Sequence, residues 1–185
     1  MDQNRTAFRI RTATLADAAA IARIYAPYVE QTTVSYEDVA PTPEVMAGRI
    51  AALLPSHPYL VYETADSVTG YAYASPYAAR AAYRWSTEVS VYVDQAAHRR
   101  GIGRALYTEL LRIITRQGFH AAFACVTLPN DKSVGLHEAM GFRFLGAFAE
   151  AGFKFGAWRD VGWWRRPLND GPPTSEPIPF AALSK

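Results

Sequence analysis

The densest group of residues that could bind a ligand lies between positions 98 and 104. It reads His98-Arg99-Arg100-Gly101-Ile102-Gly103-Arg104, and a helical pattern that ends at Gly118 follows directly. An arginine at a helix start is unfavourable by a few tenths of a kcal/mol to ~1 kcal/mol, because it faces the positive end of the helix dipole. An anion held by free backbone N–H groups removes that penalty, and glycines let the backbone approach the anion closely. The segment therefore predicts a phosphate-binding loop.

Two large classes of nucleotide-binding loop do not fit this segment. A Rossmann loop needs a third glycine and an acidic residue about 20 positions later, and a Walker loop needs Gly-Lys-Ser/Thr. Neither pattern is present. The predicted loop is therefore a phosphate cradle of another kind.

A carboxylate precedes the loop on a predicted strand over residues 87–93. Side chains alternate along a strand, so the valines face the core while Glu88, Ser90 and Tyr92 face the other way. A carboxylate on a buried strand is unfavourable unless its face borders a groove. Two interpretations are open here: Glu88 is a functional group in a cleft, or it forms an ion pair with Arg84 or Arg80.

The elements that must position these residues alternate between strands and helices. Pro27 is expected to end or kink the first helix, and residues 28–39 are expected to form a loop or half-helix that presents side chains. The predicted strands cover 8–11, 59–64, a segment turned at 65–67 and ending near 75, 87–93, 120–127, 142–148 and 158–166, the last two joined by a Gly-rich hairpin; the predicted helices cover 14–25, 42–54, 102–118 and 130–140, with a loop containing one helical turn over 75–84.

This order predicts a mixed α/β fold. A strand, a helix of about 17 residues and a second strand form a crossover unit, so strands 87–93 and 120–127 are expected to be parallel neighbours. We expect a central mixed sheet with helices on both faces, in a single domain over residues 1–170 of the 185-residue chain. A Pro-rich C-terminal tail follows over residues 171–185, and we predict no structure for it.

Composition excludes several classes of function. The net charge of +2 is too small to indicate a nucleic-acid or anionic-membrane partner. Cys125 is the single cysteine, so no intramolecular disulfide forms, and no run of 18 apolar residues is present. The first residues are polar and lack the apolar core of a signal peptide. We expect a cytoplasmic protein that binds no metal.

With these residues in view, the chain resembles the GCN5-related N-acetyltransferases (GNAT), and within them the phosphinothricin acetyltransferase-like subfamily. The loop at 98–104, after a Val-Tyr-Val strand, resembles the acyl-CoA pyrophosphate loop of that superfamily. The resemblance covers about residues 8–168, and its further motifs are Trp85-Ser86-Thr87-Glu88, Leu106-Tyr107-Thr108, Gln117-Gly118-Phe119, Leu128-Pro129-Asn130-Asp131 with Ser133, His137-Glu138-Ala139-Met140-Gly141-Phe142, Ala151-Gly152-Phe153-Lys154 and Asp160-Val161-Gly162. It implies the GNAT fold and acetyl-CoA as co-substrate.

The resemblance also implies roles for individual residues. Glu88 corresponds to the general base that takes a proton from the acceptor ammonium, directly or through water. His137 corresponds to the position of the residue that protonates the leaving thiolate in many members of the wider superfamily, and a histidine is expected there in the subfamily. The alternative is an ordinary, partly buried histidine. The residues that the resemblance assigns to the cofactor are Val91, Tyr92 and Val93 for the pantetheine arm, the N–H groups of Arg99, Arg100, Gly101, Ile102, Gly103 and Arg104 for the pyrophosphate, and Asn130 at the next helix start.

The acceptor site is assigned less specifically by the same resemblance. Arg80 and Tyr83 correspond to positions that hold the substrate carboxylate and side chain, and Tyr36 and Tyr77 are expected to line the pocket; a surface arginine and packing tyrosines are the alternative. Two positions depart from the pattern: His98 replaces the usual Gln or Arg, and Ala78 stands where a basic residue is expected for a phosphinate.

The expected function is transfer of acetyl to the α-amine of a small amino acid or amino-acid-like compound of the phosphinothricin or methionine sulfoximine/sulfone type. The transfer is expected to be direct, since Cys125 lies in an apolar strand without a basic neighbour. A protein or peptide N-acetyltransferase and a non-catalytic acyl-CoA sensor are the alternatives. The resemblance further implies a homodimer, in which Trp158, Trp163 and Trp164 are either a partner surface or core residues.

Overall fold

The computed structural model of this protein describes residues 8–65 and 67–183. Predictions that involve Asp66 of the turn, or residues 1–7 and 184–185 of the domain and tail, lie outside the described residues. The strands and helices in chain order are β1 (Phe8–Thr12), α1 (Ala18–Gln31), α2 (Pro43–Leu53), β2 (Tyr59–Thr64), β3 (Val68–Pro76), β4 (Ser86–Val93), α3 (Ile102–Arg116), β5 (Ala121–Leu128), α4 (Asp131–Ala139), β6 (Arg143–Lys154) and β7 (Ala157–Pro167).

The seven strands form one mixed sheet in the order β1-β2-β3-β4-β5-β7-β6. All neighbours are antiparallel except β4 and β5, which are parallel as predicted. The parallel pairing covers only residues 86–88 against 121–123, and the last pair is Glu88 with Phe123. Beyond that point β4 and β5 separate, which opens a gap in the middle of the sheet.

Helices cover both faces of the sheet, which confirms the predicted mixed α/β architecture. On one face α3 buries an apolar stripe, including Leu106 and Leu110, against Val89 of β4. On the other face α1 and α2 pack on tyrosines of β2 and β3, among them Tyr59 and Tyr71. Burying a Leu or Ile side chain fully stabilises the fold by about 1.5–3 kcal/mol, so these two cores hold the helices on the sheet.

Helix α1 is longer than the sequence pattern predicts. It begins after a capping box formed by Thr14 and Asp17, as expected, and it continues through Pro27 to Gln31. A proline removes one intrahelical hydrogen bond. Here the last turn is held by tertiary packing, because Val29 is buried in the core of that face. Pro27 was expected to end or kink the helix, and the first of these two outcomes is therefore wrong.

The hairpin of β6 and β7 also differs from the prediction. Strand β6 extends to Lys154, so the connection between the two strands is only Phe155-Gly156. The register shifts between Phe144 and Gly146 and again between Phe148 and Gly152. Small residues and glycines within these irregular stretches hide the alternation typical of a strand, which is why the sequence indicated a loop.

The C-terminal segment follows the protein surface and packs against it. The Ile178 N–H donates to the Gln117 carbonyl at 2.7 Å, and the buried Gln117 amide donates to the carbonyls of Ile178 at 2.7 Å and Ser56 at 2.8 Å. Phe180 and Leu183 pack against the core beneath α3. Residues 171–183 therefore form a strap across the base of the domain.

Candidate active site

The gap between β4 and β5 opens into a cleft of ≈ 1090 Å³. The cleft is bounded by the end of α1, the exposed edge of β4, the loop before α3 and the start of α4. Its lining residues include Thr32, Thr33, Val34, Val91, Val93, His98, Arg99, Gly101, Ile102, Gly103, Arg104, Pro129, Asn130 and Ser133. The structure thus brings most of the predicted cofactor residues to one cleft.

The loop at 98–104 has the backbone geometry of an anion site. Arg99 has φ = 62° and Gly101 has φ = 77°, and α3 begins at Ile102. Residues in the left-handed conformation beside a helix start turn successive N–H groups into one concavity, and the first N–H groups of a helix have no intrahelical acceptor. Gly103 is required for close packing, because a Cβ there would lie 3.2 Å from Leu136 Cδ2.

His98 fixes the beginning of this loop. Its Nε2 lies 2.9 Å from the Tyr28 hydroxyl and 3.2 Å from the Val93 carbonyl oxygen, and the Tyr28 hydroxyl donates to the same oxygen at 2.5 Å. The histidine at position 98, where Gln or Arg is usual, therefore connects the loop by hydrogen bonds to α1 and to the end of β4.

Strand β4 presents its backbone and two valines to the cleft. Val91 and Val93 line it, whereas the Tyr92 side chain points to the opposite face and packs on Tyr25 with ring centroids 4.9 Å apart. On the other side of the gap Asn130 caps α4, accepting from the Ser133 N–H at 3.2 Å. The Tyr92 side chain is thus a core group, and only its backbone lies on the cleft strand.

Glu88 lies where β4 and β5 separate. Its side chain is half-buried, and within residues 8–65 and 67–183 it forms no ion pair. Arg84 pairs instead with Glu176, so the interpretation of Glu88 as an ion-pair partner is wrong. Burial raises the pKa of the Glu88 carboxyl above its usual 4.5. A carboxylate with a raised pKa and no partner can accept a proton.

An aromatic group surrounds the acceptor side of Glu88. The Tyr77 ring contacts the rings of Phe123 at 4.5 Å, Tyr83 at 5.6 Å and Trp163 at 5.9 Å between centroids. Phe123 is the register partner of Glu88 on β5, so this group lies beside the carboxyl. Two predicted acceptor residues, Tyr77 and Tyr83, are therefore brought to the same place.

Arg80 lies immediately before the 3-10 helix Ala81–Tyr83. Its side chain is exposed, and in the described part of the chain it has no hydrogen-bond or ion-pair partner. It shares this short segment with Tyr83, whose ring contacts Tyr77 beside Glu88. A free guanidinium at the edge of the aromatic group is available to an anion.

The β6–β7 hairpin closes the acceptor side from above. The Tyr36 ring lies on Gly152, where a Cβ would come within 2.3 Å of Tyr36 Cζ. The buried Lys154 ammonium donates to the carbonyls of Val29 at 2.6 Å, Ser35 at 2.6 Å and Glu37 at 2.9 Å. Sequence reasoning gave no role to Gly152 or Lys154, because their partners lie more than 100 positions away.

Cys125 is exposed on the same face of β5 as Phe123, contrary to the burial expected from its apolar strand. The enclosing protein, with a smaller contribution from the Glu88 carboxylate, raises the pKa of its thiol to about 11. The thiolate is the nucleophilic form of cysteine. At neutral pH Cys125 is therefore a protonated thiol, which agrees with the expectation that it is not a nucleophile.

His137 is buried between α3 and α4 and is absent from the residues that line the cleft. Its Nδ1 lies 2.7 Å from the Ser133 carbonyl, so it carries a proton, and Nε2 accepts from the Tyr107 hydroxyl at 3.0 Å. Burial lowers the pKa of the imidazole, which favours the neutral form. The Tyr107 hydroxyl also lies 3.4 Å from the Val89 carbonyl beside the gap. The role of His137 as a thiolate acid stays a prediction, and this geometry would make it act through Tyr107.

Within 8–65 and 67–183, no helix has the length and apolarity to cross a membrane. In the same part of the chain, no three His, Cys, Asp or Glu side chains are grouped as metal ligands would be.

The sequence matches the family model for the acetyltransferase (GNAT) domain over residues 10–163. Among curated proteins, a phosphinothricin N-acetyltransferase of Streptomyces viridochromogenes is 43% identical over 166 residues, covering 90% of this chain and 91% of that protein. An L-methionine sulfoximine/L-methionine sulfone acetyltransferase of Salmonella typhimurium is 34% identical over 162 residues, covering 87% of this chain and 95% of that protein.

A solved structure gives the same picture at the level of the fold. The GNAT superfamily phosphinothricin acetyltransferase of Sinorhizobium meliloti, in complex with AcCoA, superimposes with a TM-score of 0.88 at 34% identity. The match covers 96% of this chain and 99% of that one.

Proposed function

We propose that this chain, which belongs to the GNAT family of acetyltransferases, transfers acetyl from acetyl-CoA to the α-amine of a small amino acid or amino-acid-like compound. Its family and its curated relatives show that the chain is an N-acetyltransferase. The acceptor class and the roles of individual residues are our proposal. The observation that carries the proposal is Glu88, a carboxyl with a raised pKa and with no ion-pair partner among the described residues, at the point where β4 and β5 separate.

The cleft residues fit acetyl-CoA. The left-handed residues Arg99 and Gly101 and the first turn of α3 offer N–H groups to a pyrophosphate. The edge of β4 beyond Glu88, which β5 leaves unpaired near Val91, offers backbone groups to an extended amide chain. Asn130 lies across the gap from them. When bound, acetyl-CoA supplies an activated thioester. The residues of the cleft would hold its thioester end near Glu88.

Glu88 is proposed to remove the proton that makes the acceptor amine unreactive. The α-amine of an amino acid is protonated at neutral pH, since even the α-amine of a peptide has a pKa of about 7.7–8.0, and it must lose a proton before its nitrogen can attack a carbonyl. Burial raises the pKa of Glu88, which brings the basicity of the carboxylate closer to that of the amine. Because the Cys125 thiol is protonated, the transfer is proposed to be direct, without an acyl-enzyme.

The acceptor is proposed to lie between the aromatic group and the β6–β7 hairpin. Arg80 binds the α-carboxylate through its two parallel N–H donors, and Tyr83, Tyr77 and Tyr36 enclose the rest of the molecule. The named relatives act on phosphinothricin and on methionine sulfoximine or sulfone. Those zwitterions are therefore the first acceptors to test, although Ala78 leaves the position of an expected cation neutral.

His137 is proposed to contribute through Tyr107 rather than by touching the acetyl donor. The neutral imidazole accepts the single proton of the Tyr107 hydroxyl and so fixes the position of that hydroxyl, whose oxygen lies 3.4 Å from the Val89 carbonyl oxygen beside the gap. In this arrangement His137 is a positioning residue, and its ring stays within the core.

We further propose that the enzyme is a cytoplasmic homodimer. Strand β6 is at the end of the sheet, and the hairpin exposes the rings of Phe144, Phe148, Phe153 and Trp158. Trp164 is a core residue and does not contribute to this surface. Patches of this kind are typical of contacts between subunits. Phe148→Asp is expected to halve the mass measured by light scattering, whereas Val39→Asp, at an exposed apolar residue outside this surface, is expected to leave it unchanged.

The experiment that tests the proposed function is a screen of acetyl-CoA consumption over the amino acids, phosphinothricin and methionine sulfoximine. We expect turnover of at least one α-amino acid, with loss of activity when its amine is methylated to a tertiary amine. A blank across the panel, together with acetylation of a peptide N-terminus, would replace this proposal by a peptide acceptor. A blank with tight acetyl-CoA binding and no acceptor of either kind would favour the sensor.

A further inference from the structure

Arg159 of β7 is a half-buried arginine that has no partner in the part of the chain that the structure describes. Its Nε is buried and donates to no acceptor. Over residues 8–65 and 67–183, its guanidinium forms no ion pair and no hydrogen bond. An unmade hydrogen bond at a buried donor is costly, and among the charged side chains of the described residues Arg159 is the one that has such a donor.

The register of the hairpin places Arg159 on the acceptor side of the sheet. Arg159 is the partner of Gly152 on β6, and paired residues project to the same face. Above Gly152 on that face lies the Tyr36 ring. Side chains two and four positions along β7 share the face as well, and the second of these, Trp163, contacts Tyr77 in the aromatic group. Arg159 therefore lies along the same wall as two predicted acceptor residues, at its Tyr36 end.

The charges on this wall are unbalanced. Lys154, two positions beyond Gly152 on β6, places a second cation on the same face, and its ammonium donates only to neutral carbonyls. The nearby Glu37 carboxylate is already bound at both oxygens by Arg49. An oxyanion beside Arg159 on the acceptor side of the sheet would satisfy the guanidinium and offset the like charge of Lys154.

We propose that Arg159 binds an oxyanion at the end of the acceptor's side chain and so selects amino acids that carry one, such as a phosphinate or a second carboxylate. This inference rests on the proposed function, in which Arg80 holds the α-carboxylate at the other end of the wall. It supplies from β7 the cation that is missing at Ala78. Arginine suits this role because its planar fork donates two parallel hydrogen bonds to an oxyanion.

The test compares acceptors that differ in side-chain charge. In wild-type enzyme, kcat/KM is expected to be higher for phosphinothricin than for methionine sulfoximine, and higher for glutamate than for glutamine. Arg159→Gln is expected to lower kcat/KM for the charged acceptors about 10- to 100-fold, the size of a lost charged hydrogen bond. The loss should appear in KM, with kcat and the acetyl-CoA Kd held within about 3-fold, and Arg159→Lys should recover part of it.

Arg143→Gln is the matched control, since it removes an exposed arginine at the far end of β6. Equal effects of Arg159→Gln on charged and neutral acceptors, no effect, or a wild-type preference for neutral acceptors would overturn the role of Arg159 and leave the proposed function intact. Failure of the wild-type enzyme to acetylate any amino acid would overturn both.

Discussion

Replacing Lys154 by methionine tests how the acceptor side is held together. Methionine is close in length to lysine but cannot donate, so the carbonyls of Val29, Ser35 and Glu37 lose the ammonium that now binds them at 2.6, 2.6 and 2.9 Å. Hydrogen bonds to a charged group contribute about 1.5–3 kcal/mol each. Keeping an ammonium buried costs several kcal/mol of desolvation free energy. Replacing it by a neutral side chain removes this cost and offsets part of the loss.

The difference between these terms predicts that Lys154→Met lowers the free energy of unfolding by about 2–4 kcal/mol. Urea denaturation measures it, as a lower midpoint at an unchanged slope. Hydrogen exchange over residues 32–37 should also become faster, because the ammonium fixes this connection between α1 and α2. The control is Arg143→Met, an exposed cation on the same strand, with an expected change under about 0.5 kcal/mol. A loss below about 1 kcal/mol for Lys154→Met would refute the reasoning.

Three further predictions follow from the strap, the thiol and the base. Truncation after Asp170 removes the apolar contact of Phe180 and a partner of the buried Gln117 amide, so the free energy of unfolding measured in urea should fall by roughly 2–4 kcal/mol; an unchanged midpoint would show that the strap adds no stability. Cys125→Ala should retain turnover within about 3-fold in the acetyl-CoA assay, and its loss in a folded variant would rule out direct transfer. The pH profile of kcat/KM should lose activity on the acid side as Glu88 takes up a proton, at a pH above 4.5 because burial raises the pKa of its carboxyl; an acid limb at or below that value would argue against Glu88.

Local patterns were sufficient to predict the parts of the site that are continuous in sequence. The glycines and arginines at 98–104 predicted an anion loop, and the structure adds the left-handed backbone at Arg99 and Gly101 that such a loop needs. The alternation of β4 predicted that Glu88 faces away from the valine core. Both features depend on neighbours within a few residues, and their physical causes can therefore be read from the chain itself.

Features that depend on distant contacts could not be predicted in this way. The separation of β4 from β5 after Glu88 is a property of the whole sheet. Lys154 finds its acceptors more than 100 residues away, and Cys125 is exposed because β5 lies beside the gap, although its own neighbours are apolar. The strap depends on the Gln117 amide, and its acceptor, the Ile178 carbonyl, lies 61 positions further along the chain, where no local pattern indicates it.

The ion-pair interpretation of Glu88 failed for a related reason. Arg84 is near Glu88 in sequence, but it pairs with Glu176 of the strap, a partner that no local pattern indicates. The carboxylate is thereby left without a cation in the part of the chain that the structure describes, and burial alone sets the direction of its pKa shift. Because Arg84 pairs with Glu176 of the strap, it is not available as a partner for Glu88.

Glu88→Gln tests the central claim most directly. The amide keeps the shape of the carboxyl but cannot accept a proton from an ammonium group. We predict that the Kd for acetyl-CoA, measured by calorimetry, stays within about 3-fold of wild type, while the rate of acetyl transfer in a single turnover falls at least ~100-fold, the usual size of a general-base effect. Raising the pH should partly restore the variant, because the free amine then forms in solution. Transfer at the wild-type rate at neutral pH would contradict the account and remove Glu88 from its role.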